Sequence, residues 1–245
     1  MEKKENNMPR SLSLPVFVLF LSLILWPCGA LAVQEDVAKT LRQDYPSLNF
    51  QQVLPTPIDG VYQLVVDQSE ILYYVPATGF LITGEIWTRD AQNLTRQAKT
   101  DLMTQKAGLF PLDKALVIGK GPHQVIEVVD PDCPYCREGS AFFAGRSDVT
   151  RYVFLFPLNI HEQAEAKAAY ILSSAEPEIA YEEVMGGAFD TQPLPQFKDN
   201  GLLKEHQRLG QQLGIHSTPQ YWVDGRYVAG SNLQLVEKML NGKQN

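Results

Sequence analysis

Cys133 and Cys136 are separated only by Pro134 and Tyr135. A cysteine at the start of a helix lies close to free main-chain N–H groups and to the positive end of the helix dipole, and both favour its thiolate. Pro134 suits the first helical turn, because the N–H it lacks would have no partner there. Three positions on, Cys136 returns beside Cys133 within reach of a disulfide. Cys133 is therefore expected to attack a disulfide of another chain, and Cys136 to resolve the mixed disulfide. As a structural staple the pair would close too short a loop to restrict the unfolded chain. As metal ligands they would need two more, and His123, His161, His206 and His216 show no paired ligand spacing, so no metal or cofactor is expected.

The elements around the pair fit this chemistry. Gln124 to Val129 carries Val125, Ile126, Val128 and Val129 with Glu127 among them, and predicts a buried strand. Asp130, Pro131 and Asp132 end it, and a helix is expected from Cys133 to about Gly145. Tyr152 to Phe156 predicts a second buried strand. Helices are expected over His161 to Ser174, Glu178 to Gly186 and Asp199 to Leu213. Ser217, Thr218 and Pro219 then precede a hairpin of Gln220 to Val223 and Arg226 to Val228, joined by Asp224 and Gly225. Asn232 is placed to cap a last helix. The Gly119–Lys120–Gly121 run lacks the strand and helix context of a nucleotide loop and is expected to be a connector.

Upstream, a short helix over Glu35 to Gln43 precedes three strand-like runs, Val61 to Val66, Ile71 to Val75 and Phe80 to Trp87. This unit is too small for a generous core, and pairing with a second copy would help it. Tyr73, Tyr74, Phe80 and Trp87 are expected in its core or on a dimer face. Asp90 to Lys106 predicts an exposed connector helix with Asp90 as its cap.

The first 32 residues carry Lys3, Lys4 and Arg10, then the apolar run Val16 to Trp26, then Ala30-Leu31-Ala32. This is the pattern of an export signal cleaved after Ala32. The run falls short of the ~20 residues of a membrane-spanning helix, and Pro27 ends it. Pro27 also argues against lipidation of Cys28. Cleavage would remove Cys28 and leave the other two of the chain's 3 cysteines as a lone pair. A formal charge of −7 argues against broad binding to nucleic acid.

The run Val128 to Cys136 (VVDPDCPYC), the run Gly214 to Trp222 (GIHSTPQYW) and the Asp224–Gly225 turn resemble the bacterial periplasmic disulfide isomerase family, DsbC/DsbG. The resemblance covers nearly the whole chain after the signal. It implies an α+β N-terminal dimerisation domain with a small cystatin-like sheet, followed by a thioredoxin-fold α/β catalytic domain with a helical insertion. The expected boundaries are 1–32 for the signal, 33–89 for the dimerisation domain, 90–110 for the connector and 111–245 for the catalytic domain. The resemblance further implies that Pro219 is cis and faces the cysteines, and that Thr218 presents substrate peptide, with Pro134 and Tyr135 at the same site. It implies a V-shaped homodimer around an apolar cleft, a membrane reductant of the DsbD type, and misoxidised exported proteins as substrates.

Two departures stand out. The Pro134–Tyr135 dipeptide follows the DsbG branch rather than the Gly-Tyr of typical DsbC. Typical DsbC has a second, structural cysteine pair in the helical insertion; this chain has Ser173 and Ser174 in that region and no cysteine there, so the insertion must rely on packing. Glu127 admits two readings, a proton carrier for the second cysteine or an ordinary polar position. Arg137 likewise favours the thiolate or is solvated. The function expected is disulfide isomerisation. The competing readings are net oxidation or reduction by the same pair, and a chaperone-like dimer in which the cysteines are secondary.

Overall fold

A computed structural model describes residues 28–242, with side chains from Val33 onward. The basic and apolar segment before residue 28, read above as an export signal, lies outside the described residues. The expected cleavage point after Ala32 falls within the backbone of the first helix, α1 (Cys28–Asp44). Among the described residues no helix is long and apolar enough to cross a membrane.

Four antiparallel strands follow, β1 (Phe50–Pro55), β2 (Tyr62–Val66), β3 (Glu70–Val75) and β4 (Phe80–Ile82), paired in chain order. Val37 and Leu41 of α1 pack on Val53, Leu64, Val66 and Tyr74. Complete burial of a side chain such as Leu41 stabilises by roughly 2 kcal/mol. The strand count exceeds the expectation by one. In β1, exposed Gln51 and Gln52 and the terminal Pro55 disguise the strand pattern. The Phe80 to Trp87 run, in turn, is cut short, because Gly84 takes φ +142 and ends the pairing. Tyr73 and Tyr74 are buried as expected, whereas Phe80 and Trp87 are exposed.

α2 (Leu94–Gln105) begins at Asn93 rather than Asp90; the Asn93 side chain accepts the N–H of Arg96 at 2.8 Å. Half of its residues are exposed, but it is anchored at two points. Thr95 and Met103 are buried, and Trp222 Nε1 donates to the Met103 carbonyl at 2.6 Å. Beyond its C-terminus Lys106 Nζ donates to the carbonyls of Gln68, at 2.5 Å, and Leu213, at 2.7 Å, tying the first unit to the second. Ser69 Oγ adds a bond to the Gly214 carbonyl at 3.0 Å.

The second unit runs β5 (Leu116–Gly119), β6 (His123–Val129), α3 (Pro134–Phe143), β7 (Val149–Leu155), α4 (Ala164–Ser173), α5 (Pro177–Met185), α6 (Leu202–Gln212), β8 (Gln220–Val223), β9 (Arg226–Ala229) and α7 (Leu233–Leu240). The sheet order is β5-β7-β6-β8-β9, and only β6 and β7 run parallel. β6 is central and buried on both faces from Val125 onward, which explains why apolar residues fill both faces except at Glu127. Ile126 and Val128 meet Met103, Phe110 and Trp222 on one side, while Val125 and Val129 face the side that α3 covers. The Gly119–Lys120–Gly121 run closes β5 and turns into β6. A Cβ on Gly121 would lie 2.0 Å from the Asp148 carbonyl carbon, so only glycine fits there. This is the two-part architecture that the resemblance implies, a small antiparallel sheet ahead of a thioredoxin-like α/β unit. The insertion holds without a disulfide through Ala168, Ile171, Leu172, Tyr181, Val184 and Met185.

Candidate active site

β6 delivers the chain through Asp130–Pro131–Asp132 to Cys133, which is the N-cap residue of α3, with Pro134 in the first turn. The Cys133 carbonyl accepts the N–H of Cys136 at 3.0 Å and of Arg137 at 3.2 Å, so the helix starts at the cysteine itself. Both thiols are free; Cys133 is 5% exposed and Cys136 fully buried.

Their surroundings divide them. The Cys136 side chain donates toward Cys133, and with the main-chain N–H groups of Cys136 and Tyr135 and the side chain of Thr218 it lowers the Cys133 thiol to about 5, against the opposing effect of burial. Burial raises the Cys136 thiol, and its bond to Cys133 raises it further. At neutral pH the pair holds one thiolate and one thiol.

β8 pairs antiparallel with β6, Val128 opposite Gln220, and so brings the preceding loop against the cysteines. The Thr218–Pro219 peptide is cis, and the Thr218 carbonyl lies 3.5 Å from Cys133 Sγ. Gln220 Nε2 donates to the Ser217 carbonyl at 2.8 Å and steadies the loop. Cys133, Cys136 and Thr218 are thus in one place, and Pro134 and Tyr135 form an exposed rim beside them, Tyr135 being 57% exposed.

Glu127 is buried on the α3 side of β6, where Arg151 holds it with Nε–Oε1 at 2.5 Å and Nη2–Oε2 at 3.1 Å. Arg151 also donates to the Tyr181 hydroxyl at 3.0 Å. Glu127 is thus a member of a buried ion pair that joins β6, β7 and α5, a role that neither of its two readings named. Arg137 is partly exposed and held by several acceptors. It donates to both carboxylate oxygens of Asp190, at 2.6 and 2.7 Å, to Asp132 at 3.1 Å and to the Pro131 carbonyl at 2.9 Å. Lys167, buried on α4, completes a four-charge cluster through Asp132 at 2.6 Å and Asp190 at 2.8 Å. The insertion is thereby tied to the loop that carries Cys133.

Sequence reasoning missed Asp130, Arg151, His161, Lys167 and Asp190 at this site. Asp130 had a signal, since it lies within the VVDPDCPYC run; Arg151 had another, as a charge just ahead of an apolar strand. Among the described residues no group of three or more His, Cys, Asp or Glu side chains is arranged to hold a metal ion.

Comparison with known proteins matches residues 29–96 to the disulfide bond isomerase protein N-terminal domain and residues 110–232 to the thioredoxin-like domain. The probable thiol:disulfide interchange protein DsbC of Bordetella avium is 25% identical over 202 residues, which are 81% of this chain and 71% of that protein. The thiol:disulfide interchange protein DsbC of Pasteurella multocida is 22% identical over 187 residues, 75% of this chain and 80% of the relative. Among solved structures, a disulfide interchange protein from Neisseria gonorrhoeae superposes with a TM-score of 0.48 at 27% identity, covering 56% of this chain and 99% of that one.

Proposed function

The chain belongs to the DsbC family of thiol:disulfide interchange proteins, with that family's N-terminal domain ahead of a thioredoxin-like domain, and we propose that it is an isomerase that rearranges incorrect disulfides in exported proteins. The observation that carries the reading is the placing of the pair, with Cys133 at the N-cap of α3 beside the Thr218 carbonyl and Cys136 buried behind it, which lowers the first thiol and raises the second. The thiolate attacks one sulfur of a substrate disulfide. A Cys133–substrate disulfide forms, and the other substrate sulfur leaves as a thiolate with the bonding electrons. That thiolate attacks a second disulfide within the substrate. The thiolate released there attacks the bond to Cys133, which leaves as it began. No net electrons move. When the substrate stalls, Cys136 attacks Cys133 Sγ and expels the substrate as a dithiol. The pair is then a disulfide and needs a dithiol reductant, for which the family suggests a membrane protein of the DsbD type.

In this reading Thr218 and cis Pro219 present the substrate main chain to Cys133, and Pro134 and Tyr135 line its path. Residues 33–89 dimerise, 90–110 connect and 111–245 carry the chemistry. The open edge of β4, with exposed Phe80 and Ile82, supports pairing between two copies. The segment 1–32 directs export to the periplasm. Acid-trapping cells that produce the protein, then alkylating free thiols, tests the direction of the chemistry. An isomerase keeps Cys133 and Cys136 mostly reduced; a mostly oxidised pair would mark an oxidase.

A further inference from the structure

We propose that the Asp130 side chain is a positioning residue for the resolving step, locking the turn before Cys133 so that Asp130's own main-chain N–H stays aimed at Cys136 Sγ. This rests on the reading of Cys136 as the resolving thiol.

The Asp130 carboxylate is fully buried. Its Oδ1 accepts the Asp132 N–H at 2.8 Å, and its Oδ2 accepts the Leu158 N–H at 2.7 Å and His161 Nδ1 at 2.8 Å. The first donor belongs to the turn itself, and the other two come from the segment that follows β7. A buried carboxylate is tolerated only when so supplied. The same residue touches both cysteines through its main chain. Its carbonyl accepts the Cys133 N–H at 3.2 Å, and its N–H donates to Cys136 Sγ at 3.4 Å. The side chain therefore fixes the residue whose amide meets the sulfur.

That amide matters when Cys136 must become a nucleophile. Burial disfavours its thiolate, and the Asp130 N–H and the Thr218 side chain are what oppose burial. In the resolving step the Cys136 sulfur attacks Cys133 Sγ, and the proton it sheds balances the one that the departing substrate sulfur takes up. The Cys133–Cys136 bond forms as the Cys133–substrate bond breaks. The substrate sulfur leaves with the bonding pair and takes up a proton. The cysteine pair is oxidised by two electrons and the substrate reduced by two. A donor fixed on the attacking sulfur lowers the cost of forming its charge.

The titratable groups sharing this space are Cys133 on α3, Tyr181 on α5 and Tyr221 on β8, above the Glu127–Arg151 pair. On the outer side His161 meets Asp130, and Arg137 and Lys167 meet Asp132. The tyrosine hydroxyls are raised by burial, Tyr181 to about 12, and stay neutral over the range tested.

The test uses the full chain and oxidised glutathione as probe. Two readouts are taken, the alkylation rate of Cys133 by iodoacetamide and the single-turnover release of glutathione from its mixed disulfide with Cys133. Asp130→Asn turns an acceptor into a donor facing N–H groups. It should leave alkylation unchanged while slowing release about tenfold and moving the pH midpoint of release up by about one unit, the two being equivalent. His161→Ala removes one partly exposed donor and should slow release less, in the same direction; it decides the matter if Asp130→Asn does not fold. Unchanged release, or equal loss of both rates, would overturn the proposal. A wild type that forms the mixed disulfide but never releases glutathione would instead overturn the reading of Cys136 as resolver.

Discussion

Arg151 grips both carboxylate oxygens of Glu127, at 2.5 and 3.1 Å, with both side chains buried between the central strands and the helix that bears the cysteines. Their charges cancel beneath Phe143 of that helix, over whose ring the Arg151 guanidinium lies 5.0 Å from the centroid. Removing one partner strands the other in a place water does not reach. We expect Glu127→Leu or Arg151→Met alone to cost about 3–5 kcal/mol of stability, and the double replacement to recover most of the loss. Urea unfolding of the four proteins measures this. A double variant no better than the worse single one would contradict it.

This pair shows where the sequence stopped being informative. The Cys133–Cys136 spacing at a strand-to-helix junction and the Asp224–Gly225 turn are local signals, each set by a few adjacent residues, whereas the place of Thr218 beside Cys133 is implied by the family resemblance alone. The Lys167 contacts to Asp132 and Asp190 span 35 and 23 residues. No periodicity announces such a meeting, because it depends on how α4 packs on α5 and α6. β5 was hidden for another reason, its few residues merging into the Gly119–Lys120–Gly121 turn. α2 misled because its polarity faces water along most of its length, while its contact with the catalytic unit runs through Met103 and a main-chain carbonyl.

A thiol lowered to about 5 predicts a simple titration. Alkylation of Cys133 should rise with a midpoint near pH 5 rather than near ~8.5, the ordinary thiol value. The Cys136 side chain is the largest contributor, so Cys136→Ala should move the midpoint upward. The lowered value also couples to stability. The folded state sheds this proton before the unfolded state does, so the reduced protein should gain stability from pH 5 upward to the ordinary thiol pKa of about 8.5, and lose that gain as pH falls back through 5. A midpoint at the ordinary thiol value would contradict the arrangement of donors described here.

His206 predicts acid sensitivity of a different origin. Its Nδ1 accepts the Leu155 N–H at 3.0 Å and its Nε2 donates to the Lys114 carbonyl at 2.8 Å, joining α6 to β7 and to the approach to β5. Burial lowers its pKa. The unfolded chain therefore takes up a proton that the folded one refuses, and stability falls as pH drops below the ordinary histidine value of about 6.5. His206→Gln, able to accept and donate at similar points, should lose this step. Urea midpoints at pH 7 and pH 5.5 check it, and an identical pH response in the variant would contradict it.

The most direct test of the central claim is refolding of a scrambled, fully oxidised multi-disulfide protein with the mature chain in reduced form. The account predicts that the wild type accelerates recovery of native pairings with no net change in substrate thiols, and that Cys133→Ser refolds it no faster than buffer. Acceleration that survives in Cys133→Ser, or recovery only in step with consumption of a reductant, would contradict it.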